Sequence, residues 1–444
     1  MDSTAKSNSL TLLIIIFIFN VSASSSNLTP SFPKQALPTK SGYLSVNATS
    51  NSAIFYAFYE AQSLTSPLSQ TPLLIWLQGG PGCSSMIGNF FELGPWRVTK
   101  SLNLIPNPGS WNRIFGLLFL DNPIGTGFSI ASNTDEIPRD QNSVAQHLYT
   151  AITTFIQLDP AFKDRQIYIT GESYAGKYVP AIGYHILRMN SRLNASQRVN
   201  LAGVAIGDGL THPLVQVTTH AAHAYFLGLI NERQKNDLEK IQFEAVRLIK
   251  QGNWSAAREA RSSIFRLLHN MTGLATSFDF TRKAPYKTHL VTEFLKSREV
   301  KKALGVSGSF VFKICSGTVK EALREDVMKS VKYMVEYLVT KTRVLLYQGQ
   351  HDLSDGPVQV EAWVKTMKWE GIEKYLNADR KIWKVNGELA GYVQKWQSLA
   401  NVVVLGAGHY LPHDQAGNSQ AMIEDWVLQK GLFENVNFTP CSVL

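Results

Sequence analysis

Apolar residues along the chain follow two rhythms. Between positions 42 and 59, two β-rich runs, Gly42-Tyr43-Leu44-Ser45-Val46 and Ala53-Ile54-Phe55-Tyr56-Ala57-Phe58-Tyr59, flank a polar stretch that reads as a hairpin turn. Short continuous apolar runs then recur at 73–77, 116–120, 166–170, 202–206, 344–347 and 402–405. Their length and character are those of strands buried on both faces. Most of them end in a glycine-containing loop, and helical stretches intervene, as at 143–157 and 180–193. This alternation predicts an α/β fold with a central, mostly parallel sheet flanked by helices. From about 215 to 337 the rhythm breaks: the segment is charged and helical in pattern, clearest at 232–250 and 255–270, with no convincing buried strand. It reads as a helical cap, residues 215–337, inserted into a core built from 24–214 and 338–444. Near the end, Asn386-Gly387 between two short β-rich runs is a hairpin signal.

The N-terminus changes the picture of where the chain works. Lys6 precedes an apolar run from Leu10 to Val21, too short for a comfortable bilayer span, and Val21-Ser22-Ala23 offers a small-x-small cleavage site. Residues 1–23 are therefore expected to be a signal peptide, with no membrane contact after its removal. Six N-x-S/T sequons follow, at Asn27, Asn47, Asn194, Asn253, Asn270 and Asn437, which point to a glycoprotein that is secreted or held in a vacuole or lysosome. With 44% hydrophobic and 17% charged residues, a chain of 444 residues buries a full core and is not disordered. The net charge of +9 is spread without a Lys/Arg-rich block, and zinc-finger spacing is absent, so no nucleic-acid partner is expected. Three cysteines, Cys83, Cys315 and Cys441, allow one internal bridge and leave three pairings open. Nothing in the sequence sets the oligomeric state, a homodimer being among the states it allows.

Candidate chemistry begins at Tyr168-Ile169-Thr170-Gly171-Glu172-Ser173-Tyr174-Ala175-Gly176. A β-rich run that ends in Gly-x-Ser and small residues is the pattern of a tight strand-to-helix turn exposing a serine oxygen. A serine needs a base, and His409 lies on a loop after the last apolar run; Asp352 lies just past the run at 344–347. Serine, aspartate, histidine is the chain order of the α/β-hydrolase triad. Metal ligation is not expected: His409 and His413 are separated by residues that disfavour a shared helical face, and His351, Asp352 and Asp355 match no known ligand spacing. The loop Gln78-Gly79-Gly80-Pro81-Gly82 can aim backbone N–H groups at an oxyanion, and it lacks the lysine of a phosphate-binding loop.

Together with Trp76 to Ser85, the segments Glu92-Leu93-Gly94-Pro95, Asn107-Pro108-Gly109-Ser110-Trp111-Asn112, Asp121-Asn122-Pro123-Ile124-Gly125-Thr126-Gly127-Phe128-Ser129 and Gly406 to His409 give the chain a resemblance to the serine carboxypeptidases over nearly its whole mature length. The resemblance implies an α/β-hydrolase fold, no cofactor, and peptide substrates with a free C-terminus. It implies Ser173 as nucleophile, His409 as general base and Asp352 as its orienting carboxylate, with the N–H groups of Gly80 and Tyr174 as oxyanion hole. It also implies a terminal-carboxylate site at Gln78, Gly79 and Glu172, and a Cys83–Cys315 disulfide that leaves Cys441 free. Three positions depart from the family pattern: Gln78 and Asp208, where Asn is usual, and Gln350, where many members have Asp. Gly-Gln-x-Asp at 349–352 resembles the vitellogenic-carboxypeptidase-like branch. The family also holds acyltransferases that use glucose esters; these commonly carry Asp at the elbow Glu, so Glu172 favours the peptidase. A non-catalytic binding glycoprotein is the third reading, against which the complete Ser173, Asp352, His409 set speaks.

Overall fold

The computed structural model describes residues 32–434. Among the described residues twelve strands are formed: β1 (Lys40–Ser45), β2 (Ala53–Tyr59), β3 (Leu73–Leu77), β4 (Trp96–Val98), β5 (Leu104–Pro106), β6 (Gly116–Leu120), β7 (Ile167–Glu172), β8 (Leu201–Gly207), β9 (Arg343–Gly349), β10 (Arg380–Val385), β11 (Glu388–Trp396) and β12 (Leu399–Val404). Ten of them make one sheet in the order β1-β2-β6-β3-β7-β8-β9-β12-β11-β10, and β4 and β5 pair apart from it. The six strands from β6 to β12 in that order run parallel. Antiparallel pairs close both flanks.

The apolar runs are continuous because both sheet faces are covered. In β3, Leu73, Ile75 and Leu77 enter one apolar cluster and Leu74 and Trp76 the other. In β9, Val344 and Leu346 face the first cluster, Leu345 and Tyr347 the second. This period of two follows from the pleat, which sends successive side chains to opposite faces. Helices fill both sides, and the arrangement is that of an α/β-hydrolase.

The segment between β8 and β9 is helical, as its pattern predicts. Its longest helices, Glu232–Lys250 and Trp254–Thr272, start at Asn231 and Asn253, whose side chains accept from backbone N–H groups of the first turn. Leu238, Ala245, Ile264 and Leu268 join the apolar cluster that holds Ile169 and Val204, while Val291, Phe294 and Leu295 join the opposite one.

One boundary differs from expectation in a way that matters for the site. The helix expected at 180–193 spans Ala175–Asn190, so it begins directly after the serine turn. Pro180 lies inside it and has no N–H for the Gly176 carbonyl. The Thr211 hydroxyl takes that place, donating to Gly176 O at 3.0 Å. Also unforeseen are the short β4–β5 ribbon and the helices Pro357–Val364 and Ala416–Leu428. Among the described residues no helix is long and apolar enough to cross a membrane. Asn194, Asn253 and Asn270 are exposed and Asn47 is half-buried in the β1–β2 turn. The expected signal peptide, Asn27, Asn437 and Cys441 lie outside the described residues.

Candidate active site

Ser173 sits at the C-terminal end of β7, in the middle of the sheet, with φ +62°. A serine adopts this left-handed region at a cost, so neighbours must hold it there. Its N–H donates to Gly207 O at 2.9 Å, and its carbonyl accepts from Gly176 N at 2.9 Å and Leu210 N at 3.0 Å. A Cβ on Gly176 would stand 2.6 Å from Leu210 N, so a side chain there would push the elbow off the turn that follows β8.

His409 comes from the loop after β12 and Asp352 from the loop after β9. Asp352 Oδ2 lies 2.7 Å from His409 Nδ1, and both residues are buried, His409 to 1% exposure. The carboxylate only accepts, so Nδ1 carries the proton and Nε2 is left as the basic nitrogen. That Nε2 is buried and has no hydrogen-bond partner among the described residues. Asp352 is itself fixed by Ser354 N at 2.7 Å and Asp355 N at 3.3 Å. Burial pulls the His409 pKa down, but Asp352, Asp355 and Glu92 outweigh it and hold it above the ordinary histidine value. The segment between β8 and β9 contacts His409 and the neighbouring Asp355. Phe278 stacks on the imidazole at 4.3 Å and 10°, and its carbonyl accepts from His409 N at 2.7 Å. Arg261 pairs with Asp355 at 3.1 Å.

Asp208, Asp352 and His409 each offer a ligating atom within 4.8 Å of the others. His409 Nδ1 and Asp352 Oδ2 already satisfy each other, which suits proton transfer better than metal ligation. His413 is directed elsewhere, stacked on Phe91 and bonded to its carbonyl at 2.9 Å.

A second polar cluster surrounds Gln78 at the end of β3. Its Oε1 accepts from Trp76 Nε1 at 2.9 Å and Gly88 N at 3.1 Å. The amide is thereby oriented, and its Nε2 donates to Glu172 Oε1 at 2.7 Å and to Glu92 Oε1 at 3.3 Å. Burial raises the pKa of both glutamates, and Glu92 beside it raises Glu172 further. Their second oxygens are buried and receive no donor among the described residues. Gly79 completes the contact with the elbow: a Cβ there would lie 2.6 Å from Tyr174 N and 2.8 Å from Ser173 Cβ. Neither Gly80 N nor Tyr174 N donates to a described loop carbonyl. Cys83 is bonded to Cys315, a separation of 232 residues, and the bond is flanked by Ser84 N to Ile314 O and Ser316 N to Gly82 O, each 2.8 Å.

The structure thus brings Ser173, His409 and Asp352 to one end of the sheet, with Gln78, Gly79, Gly80, Glu172 and Tyr174 around the elbow. Sequence reasoning missed Glu92 and Phe278. Glu92 had one faint signal, a lone carboxyl in the apolar run Met86 to Leu93. Phe278 had none, since ring stacking across the fold leaves no local pattern.

A strand-to-helix serine, a histidine and an aspartate at the C-terminal edge of a mostly parallel sheet define a serine hydrolase of the α/β-hydrolase fold. The serine carboxypeptidase family model matches residues 30–429, and the chain belongs to that family. It is 56% identical over 406 residues to serine carboxypeptidase-like 50 of Arabidopsis thaliana, covering 91% of this chain and 90% of the relative. It is 35% identical to the probable serine carboxypeptidase CPVL of Homo sapiens, covering 90% of this chain and 85% of that protein. The crystal structure of Kex1Δp, a prohormone-processing carboxypeptidase from Saccharomyces cerevisiae, superposes with a TM-score of 0.81 at 25% identity, over 92% of this chain and 97% of that one.

Proposed function

We propose that this enzyme removes the C-terminal residue of peptides through an acyl-enzyme intermediate, with a preference for acidic pH. Ser173 Oγ attacks the last peptide carbonyl while His409 Nε2 takes its proton, then returns it to the leaving amine. Asp352 holds the imidazole in the tautomer that leaves Nε2 free. The N–H groups of Gly80 and Tyr174 receive the oxyanion. Water repeats the sequence to free the shortened peptide.

The observation that carries the exopeptidase reading is the Gln78–Glu172–Glu92 cluster beside the elbow. Two buried carboxyls with one amide between them keep a proton that a substrate carboxylate can accept as a hydrogen bond. An endopeptidase has no use for such a group next to its nucleophile. Glu172, Gln78 and the Gly79 backbone are assigned to the substrate's free terminus. The same reading has residues 1–23 removed as a signal peptide, glycans at the exposed sequons, residues 215–337 acting as a cap, and a secreted, vacuolar or lysosomal site of action.

Incubation with N-blocked dipeptides, as free acids and as terminal amides, tests the proposal. Free acids should be cleaved at acidic pH, amides far more slowly, and Ser173→Ala should cleave neither. Equal rates on acids and amides would overturn the exopeptidase assignment. Transfer to an alcohol acceptor without hydrolysis would favour an acyltransferase.

A further inference from the structure

Asp208 has no role in the scheme above, yet it lies against the Asp352–His409 pair. It follows β8 with φ +41°, and its N–H donates to Tyr347 O at 2.9 Å. Its carboxyl is fully buried, with Oδ1 accepting from Gly349 N at 3.1 Å, and one of its oxygens lies within 4.8 Å of a ligating atom of Asp352 and one of His409. Among the described residues no ion pair includes it: Arg261 is engaged by Asp355, and His409 by Asp352. The groups that face it are Asp352 and Asp355 from the loop after β9, Glu172 from the end of β7, Tyr347 from β9, and His409. All but His409 are acids.

Two ionised carboxylates this close, both fully buried and with the nearby Arg261 engaged by Asp355, cannot coexist cheaply. Donor geometry decides which one keeps the proton. Asp352 receives three donors, Ser354 N, Asp355 N and His409 Nδ1, and is thereby favoured as the anion. Asp208 receives Gly349 N. We propose that Asp208 is a positioning residue of the hydrolytic reaction: it works as a neutral acid and donates its proton to the Asp352 carboxylate. The hydroxyl bond takes up a lone pair of Asp352 and fixes the orientation in which Oδ2 meets His409. Burial and Asp352 both raise the Asp208 pKa, in keeping with that state. The bond is present below the raised value and lost as pH climbs through it. The donor then becomes a second negative charge, which frees Asp352 to turn and makes His409 hold its proton.

The inference rests on Ser173, His409 and Asp352 acting as proposed but not on the substrate being a peptide. It is therefore tested with a fluorophosphonate probe, which needs no terminal carboxylate. Labelling rates of the full chain are measured against pH for wild type, Asp208→Gly and Asp208→Asn. Both replacements tolerate the left-handed backbone, and only Asn keeps a donor. Gly should slow labelling about tenfold at acidic pH, and Asn should regain most of that, by the usual weight of a hydrogen bond to a charged group. Wild type should lose rate on the alkaline side, Asn should not, and the acid limbs of the two should coincide. An Asn acid limb displaced downward would mean that a negative charge had been removed, and would overturn the proposal. So would an Asn profile superposing on wild type throughout, or a Gly variant as fast as wild type. If the profiles behave as stated while no peptide is cleaved, the carboxypeptidase reading fails alone.

Discussion

Two buried acidic clusters flank the Ser173 elbow, and they are built differently. On one side, Asp352 meets a histidine and two backbone N–H groups, so its charge is satisfied where it stands. On the other, Glu172 and Glu92 share a single amide, that of Gln78, and among the described residues each keeps an oxygen that no N–H or O–H donor reaches. The same side-chain chemistry is thus set to two tasks by its donors. A carboxylate with fixed donors and an imidazole can orient a base and stabilise the imidazolium it becomes. A carboxyl pair short of donors must hold a proton, and a held proton is what a substrate carboxylate needs. Each cluster is also fastened to the segment between β8 and β9, by different means: Phe278 stacked on His409 on one side, the Cys83–Cys315 bond below Gly79 and Gly80 on the other.

If the division holds, isosteric amides should act on different kinetic constants in the two clusters. Asp352→Asn offers His409 Nδ1 the wrong partner and favours the inverted tautomer, so kcat should fall on the order of 10⁴-fold. Labelling of Ser173 should fall with it, while the KM of any residual cleavage stays near that of wild type. A kcat within tenfold of wild type would mean that Asp352 does not orient the base.

The two fastenings should differ in stability. The disulfide closes a loop of 232 residues, and its loss should cost about 2–5 kcal/mol. Urea unfolding of the doubly substituted Cys83→Ser, Cys315→Ser chain measures it. An unchanged midpoint would show that the backbone hydrogen bonds from Ser84 N and Ser316 N suffice alone.

A smaller effect is expected at Glu172, and its sign follows from burial. Desolvation raises both glutamates, Glu92 to about 7. While the pair keeps its protons it binds a free carboxylate; as pH climbs through the raised values of the two groups the protons leave and like charges meet. KM for free-acid dipeptides should therefore rise about tenfold from acidic to alkaline pH, one unit of pKa being worth 1.36 kcal/mol. Glu172→Gln should flatten that rise with little change in kcat, and amide substrates should not show it. A wild-type KM that ignores pH would remove Glu172 from the substrate's terminus.

How far these features are legible in the sequence depends on their range. The six parallel strands and the Asn386-Gly387 hairpin are written locally, as apolar runs and turn chemistry, and they appear where the pattern puts them. Ser173 is readable because its turn demands small residues at nearby positions in the chain, Gly171, Ala175 and Gly176. The start of the following helix is not, because Pro180 is a stop signal that only a distant Thr211 hydroxyl makes harmless. Glu92 and Asp208 are visible as residues but not as partners, since pairing a buried carboxyl takes groups far apart in sequence. The three-residue strands β4 and β5 are too short for a period of two to show.

The smallest effect should come from the ring that covers His409. Phe278 lies nearly parallel to the imidazole at 4.3 Å, while Tyr410 meets it edge-on at 5.8 Å and 81°. A face-on aromatic ring favours the imidazolium over the neutral base and keeps the ring from rotating. Phe278→Leu retains apolar bulk and leaves the backbone carbonyl that accepts from His409 N, so the loop stays docked. What it removes is the π face, worth about 0.5–1 kcal/mol, a two- to fivefold loss in kcat/KM. Because the lost interaction stabilised the charged form, the His409 pKa should drop and the acid limb of the labelling profile should move to lower pH by a few tenths of a unit. The pH dependence of KM for free-acid peptides should not move, since that belongs to Glu172 and Glu92 on the other side of the elbow. A Phe278→Leu variant that flattens the KM profile would show the two clusters to be one coupled unit. An unmoved acid limb at unchanged kcat/KM would reduce Phe278 to a filler of space.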